Sequence, residues 1–382
     1  MRKIYLGITS FLATCICISG CGSGGGGNAT APETTGETPV QTPAQAGIPV
    51  LTHLDTFQME EGTHRPEIFV TDDGTLVLVV VQPGNEGTQV IKHRTYLFDK
   101  DFNEQDRFNV TYIDGTYGEP ADHRVGIVDD QLVIVYQTLN YGSNTPSNGG
   151  PSEQYATDQS LMLTRFTLEG SEIMRASIVA QQTDFTEDNF PDHCLLWNDD
   201  RLLVSTGSWG NYTKIREVDL DGNIEQTWSF EGDLDNIGNS LLVHNGKVAM
   251  LSYLMGQGNG LTLNEFDSDF NPSLVGYFPS NERTRTFPTG YAQINGYTFV
   301  THVTSPAGTI GNPATNPFDA YLLVLNENLE EVDDIKLGEN GFGHIHPTIA
   351  WQDDRFWVAW SMRSARGFAP QVQVVTFELT YE

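Results

Sequence analysis

Five of the nine histidines in this chain, His64, His123, His193, His344 and His346, stand at or just before the start of an apolar run. A random scatter would place about one of them there. Two of these settings repeat almost verbatim, Ala121-Asp122-His123-Arg124 and Pro191-Asp192-His193-Cys194. Arg65, Arg124, Arg283 and Arg285 sit at the same kind of boundary. Three chemistries suit imidazole, carboxylate and guanidinium at recurring positions. Neutral imidazoles with carboxylates would hold a divalent metal, with His123, His193 and His346 as candidate ligands, although no local metal-binding spacing accompanies them. Asp-His pairs would move protons. Arginines would clamp an anionic group of a ligand, in a protein whose overall charge repels anions.

The candidate ligand-binding set is therefore His64, Arg65, Asp122, His123, Arg124, Asp192, His193, Arg285, His344 and His346. Every member also has a structural reading, because a histidine at the start of a strand can simply bond the backbone of its neighbour. There is no Gly-x-Ser-x-Gly elbow, phosphate loop or Cys-x-x-Cys pair, so no catalytic residue is assigned and no cofactor is required. Asp219-x-Asp221-Gly222-Asn223 resembles part of a calcium loop, but the closing Glu is missing and a hairpin turn is the reading adopted.

The elements that must position these residues are short strands broken by Asp, Asn and Gly turns, with no amphipathic helix. One unit occurs six times. In its first half an apolar strand turns into a second apolar strand, at Asp72-Asp73, Asp129-Asp130, Asp199-Asp200, Asn245-Gly246, Asn295-Gly296 and Asp353-Asp354. Its second half is a hairpin, turning near Asp99, Leu168, Asp219, Asp267 and Asn326. Four strands per unit at this period is the pattern of a β-propeller blade. The sixth unit ends at its third strand, Val372 to Leu379, and the stretch Pro49 to Met59 would supply the fourth. The expected fold is thus all-β: a six-bladed propeller over 49–382 whose ends share a blade, which hides two strand edges. In such a ring the first strands line a channel, and their starts share a face with the longest insertions, Gln137 to Gln159 and Thr304 to Asp319. Asn, Tyr, Trp209, Tyr212 and Phe318 in the loops of that face would suit sugar rings and hydroxyls.

Arg65-Pro66-Glu67-Ile68-Phe69-Val70, followed by Gly74-Thr75-Leu76-Val77-Leu78, resembles the opening of sialidase-like six-bladed propellers. By that resemblance Arg65 would match the first arginine of a carboxylate clamp. The Ser-x-Asp-x-Gly-x-x-Trp boxes of many such propellers are absent, and nothing matches their Tyr/Glu nucleophile pair. The resemblance therefore implies the fold and not sialidase activity.

Met1-Arg2-Lys3, the apolar Ile4 to Ile18 and Ile18-Ser19-Gly20-Cys21 read as a secretory signal ending in a lipoprotein box. That resemblance implies cleavage after residue 20 and lipidation of Cys21, with palmitate or a similar acyl chain. Residues 21–48, Gly-, Thr- and Pro-rich, would then be a flexible linker to a bacterial cell envelope, at the outer membrane or cell surface. Losing Arg2 and Lys3 takes the formal charge from −30 to −32. Such a field repels phosphate backbones, which excludes nucleic acid, and it leaves the lipid to hold the membrane. Cys194 alone remains in the domain, so no internal disulfide forms. The functional expectation is a lipid-anchored propeller binding a glycan or other extracellular ligand. The alternatives are a polysaccharide hydrolase or lyase using the His/Asp/Arg cluster, and a structural lipoprotein docking an envelope protein.

Overall fold

The structure is a computed structural model that describes residues 47–82, 92–111, 120–144, 153–182, 193–207, 212–231, 236–254, 260–279, 283–306, 318–341, 346–362 and 370–382. The signal, Cys21 and nearly all of the linker lie outside these residues. All elements are strands. The first is β1 (Pro49–Glu61). Blade one follows as β2 (His64–Val70), β3 (Leu76–Gln82), β4 (Lys92–Phe98) and β5 (Glu104–Thr111). Blade two is β6 (Pro120–Val128), β7 (Gln131–Asn144), β8 (Glu153–Thr167) and β9 (Glu172–Gln182). Blade three is β10 (His193–Asn198), β11 (Arg201–Gly207), β12 (Tyr212–Val218) and β13 (Ile224–Glu231). Blade four is β14 (Asn236–His244), β15 (Lys247–Leu254), β16 (Gly260–Phe266) and β17 (Pro272–Pro279). Blade five is β18 (Arg283–Ile294), β19 (Tyr297–Pro306), β20 (Phe318–Leu325) and β21 (Glu331–Gly341). Blade six is β22 (Thr348–Gln352), β23 (Arg355–Met362) and β24 (Gln371–Tyr381), with β1 as its fourth strand.

The strand order of each sheet is sequential except in blade six, where β1 pairs antiparallel with β24 from Pro49↔Tyr381 to Glu61↔Gln371. The first strands touch in a cycle, β2 with β6, β6 with β10, and so on to β22 with β2, which closes the ring. This is the six-bladed propeller expected from the repeats, with the expected terminal clasp.

The core explains why closure is needed. There are six apolar clusters, one in each seam between neighbouring blades. No blade has a core of its own. Each second strand is covered on both faces, which is why β3 reads as the unbroken apolar run Leu76–Val81, all of it buried. An open ring would leave two apolar sheet faces in water, at about 25 cal/mol per Å².

The two ends of the ring differ. At one end, turns of two to five residues close every hairpin. In the turns at Asp129-Asp130, Asp199-Asp200, Asn245-Gly246 and Asn295-Gly296 both residues have positive φ. Those are the two-residue turns whose twist matches the strands. The turn of blade one departs from the expected pair Asp72-Asp73. It spans Thr71 to Thr75, held by the Thr71 hydroxyl and the Asp73 carboxylate, with Gly74 at φ +87. Between third and fourth strands, Asp99, Asp219 and Asp267 each accept the backbone N–H groups two and four residues on, and Asn326 and Thr167 do the same in their blades. Asp219 is thus committed to its own hairpin, as the turn reading expected.

At the other end stand the starts of the first strands and the ends of the second. The segments that join strands there lie outside the described residues, apart from Gly62, Thr63, His346, Pro347 and Pro370. Two insertions expected as loops are shorter than the sequence suggested. The β7–β8 ladder runs on to Asn144↔Glu153, and the β19–β20 ladder to Thr304↔Asp319. Their polar composition hides the strands, because two strands can pair beyond the core without burying a face.

Candidate functional site

The described candidate histidines and arginines stand at first-strand starts on the loop end and are largely built into the seams. His123, the fourth residue of its strand, just after a bulge, is 1% exposed, and its ring meets His93 of blade one edge-on at 4.6 Å. His93 in turn lies 6.3 Å from the ring of Tyr136. Burial, reinforced by the nearby His64, pushes the His93 imidazole down to about 3, so that ring is neutral at ordinary pH. His193, fully buried, shares a 3.2 Å hydrogen bond with the Val135 carbonyl of blade two. That is the neighbouring-blade backbone contact allowed for in the structural reading.

The arginines have partners as well. Arg124 spans the seam to Glu67 of blade one at 3.2 Å, and both are buried. Arg285 is 3% exposed between blades four and five. It donates to the Pro279 carbonyl, to Glu331 at 3.0 Å and to Asp334 at 2.9 Å. The other oxygen of Asp334 takes a hydrogen bond from His302 Nε2 at 2.9 Å. Burial alone would raise the Asp334 carboxyl, but the His302 hydrogen bond and the charges of His302 and Arg285 outweigh it and hold it below the usual range. Neither Arg124 nor Arg285 is an uncommitted anion clamp: each already neutralises carboxylates of its own chain.

Arg65 and His346, on the adjoining blades one and six, share a backbone feature. Both are non-glycine residues at positive φ, +50 and +39. Arg65 donates its backbone N–H to Ser361 Oγ of blade six at 2.6 Å. Such backbone strain persists only where surroundings impose it, and it concentrates at functional positions. His64 is half-buried beside Arg65, and His346 is buried. The side chains of Asp122, Asp192, Arg283 and His344 lie outside what is described, as do Trp209 and the side chain of Tyr212. Phe318, expected in a sugar-facing loop, is a core residue of the seam between blades five and six, because β20 already begins there.

Among the described residues no group of three or more His, Cys, Asp or Glu side chains is placed to hold a metal, so His123, His193 and His346 do not form one centre there. Sequence reasoning missed His93, His302, Glu67 and Asp334, since it weighed only histidines at first-strand starts. An ionisable residue inside a strand otherwise of apolar residues and threonine, as His302 is in Phe299–Val303, was the available signal. At the opposite end, blades one and six leave a cleft of about 540 Å³ lined by Asp73, Asp99, Asp353, Gln352, Arg355 and Trp357. Its Asp73 and Asp99 carboxylates are spent on their own turns.

No protein-family model matches the chain, and no curated protein sequence does. Solved structures do match. A protein of unknown function from Dyadobacter fermentans superposes with a TM-score of 0.56 at 10% identity, over 86% of this chain and 99% of that one. The subtype N11 neuraminidase-like protein of A/flat-faced bat/Peru/033/2010 gives 0.50 at 9% identity, over 89% and 96%. The fold is that of the sialidase-like six-bladed propellers. Trypanosoma rangeli sialidase, at 0.49 and 12% identity, is matched over 82% of this chain and 55% of its own length. At such identities the likeness speaks for architecture alone.

Proposed function

We propose that this chain is an exported, lipid-anchored propeller that binds a glycan or other extracellular ligand at its loop end. The asymmetry of the ring carries this reading. One end is sealed by minimal turns that satisfy their own backbone, while every longer connection begins and ends at the other, on a rigid circular scaffold. Asn, Tyr, Gly and Ser dominate the insertion between residues 137 and 159. A neuraminidase-like neighbour is in keeping with a saccharide ligand. The buried histidines and the ion-paired Arg124 and Arg285 support the scaffold role for that layer, so recognition falls to the connections that start from it. The strained pair Arg65 and His346 marks the sector between blades six and one.

The anchor rests on the lipoprotein box. Cys21→Ser should move the protein out of the membrane fraction and abolish uptake of labelled palmitate; continued membrane association with no label in the wild type would remove the lipid from the proposal. For the ligand, equilibrium binding to a glycan panel should find a saccharide whose affinity drops at least tenfold in Trp209→Ala with unchanged melting. No binding across the panel would end the glycan reading, and turnover of a bound glycan would replace it with the enzyme reading.

A further inference from the structure

Of the six outer strands, β17 alone has no charged residue. Its sequence is Pro-Ser-Leu-Val-Gly-Tyr-Phe-Pro, whereas Asp55, Asp106, Glu172, Glu225 and Asp333 lie on the other five. Leu274 is 62% exposed, Tyr277 43% and Val275 39%; three of the nine exposed large apolar side chains among the described residues are on this one strand. Phe278 points inward to the core, seated over Gly276, where a Cβ would strike its ring. One edge of β17 pairs with β16, and the ladder ends there.

An exposed, uncharged, apolar edge is a template for a further strand. The charge of the molecule selects which. A cationic partner would find carboxylates on every other blade and gain nothing from a neutral strip. A partner of the same strong negative charge can come close only where no carboxylates meet. At physiological salt the repulsion beyond about 8 Å is screened, so only juxtaposed charges oppose contact. A second copy of this chain meets that condition, and a twofold axis makes the strand its own antiparallel complement. Pro272 and Pro279 bound the strand and confine pairing to the residues between them, so the contact closes at two copies. We propose that two copies of this chain dimerise through their β17 edges, pairing antiparallel over Ser273–Phe278. Six residues give about 20 Å of ladder, a small interface of the transient kind.

Sedimentation equilibrium of the full chain in density-matched detergent tests this. The expected result is a monomer–dimer equilibrium that tightens as salt rises from about 0.05 to about 0.5 M, the opposite of an ion-paired contact. Leu274→Asp should weaken it at least tenfold. Ile224→Asp, an exposed apolar position on β13 beside Glu225, should leave it unchanged, and both variants should melt like the wild type. A wild type that stays monomeric to millimolar concentration overturns the proposal. So does a dimer that weakens with salt, or one that Leu274→Asp leaves intact.

Discussion

Arg285 shows how a residue that looks like a ligand clamp becomes a strut. Its guanidinium is buried, and it links the end of blade four to two carboxylates of blade five. Truncation would leave the partly buried Asp334 with half its compensation. Arg285→Ala should therefore cost about 1–3 kcal/mol in chemical denaturation, since it removes charged hydrogen bonds whose carboxylates stay partly in water. A loss within experimental error would free Arg285 for the clamp role. His93 makes a pH-dependent case. Its folded-state value, about 3, lies below the ordinary 6.5, so the folded chain binds fewer protons than the unfolded one between those values. The stability it contributes is complete above pH 6.5 and is lost as pH falls towards 3, by about 2 kcal/mol at pH 5. Melting of wild type and His93→Gln across pH 4.5–7.5 should show a shallower slope in the variant; parallel slopes would contradict the burial of a neutral imidazole.

At the level of elements, the seams set the tolerances. Gly290 on β18 faces blade six, where an added Cβ would lie 2.9 Å from the Ile349 backbone nitrogen and collide with Thr301. Backbone cannot swing aside as a long side chain can. Gly290→Ala should thus destabilise by about 1–3 kcal/mol, the usual cost of overpacking, although alanine adds one carbon and suits a strand better than glycine. An alanine variant with unchanged or higher melting temperature would show that the blades are looser than drawn.

For the whole molecule, the clasp is the decisive feature. β1 closes blade six along its full length, and it reaches blade one as well. Glu60 pairs with Arg94 at 2.5 Å and Arg107 at 2.7 Å, and Phe57 stacks on Phe102 at 4.3 Å. Its start is stitched to the C-terminus by Ile48 and Glu382, which exchange backbone hydrogen bonds, and by Tyr297, which holds the Gly47 carbonyl. Deleting residues 49–61 should abolish cooperative unfolding or lower its midpoint by tens of degrees. Deleting residues 22–42 should leave the midpoint where it was. Equal effects from the two deletions would contradict closure by β1.

The architecture was legible in the sequence because its causes are local. Alternation gives strands, Asp and Asn at positive φ give tight turns, and six repeats of four strands leave few ways to bury all their apolar faces. The missing fourth strand of the last unit pointed to the N-terminal stretch that supplies it. The roles of the polar residues were not legible, because they depend on which side chain faces which across a seam. Nothing near Arg124 in the chain announces Glu67, 57 residues away, and nothing near Arg285 announces Asp334. A histidine at a strand start reads the same whether it greets a ligand or, like His193, a neighbouring carbonyl. Only the closed ring, which brings distant strands into register and removes water from between them, separates the two.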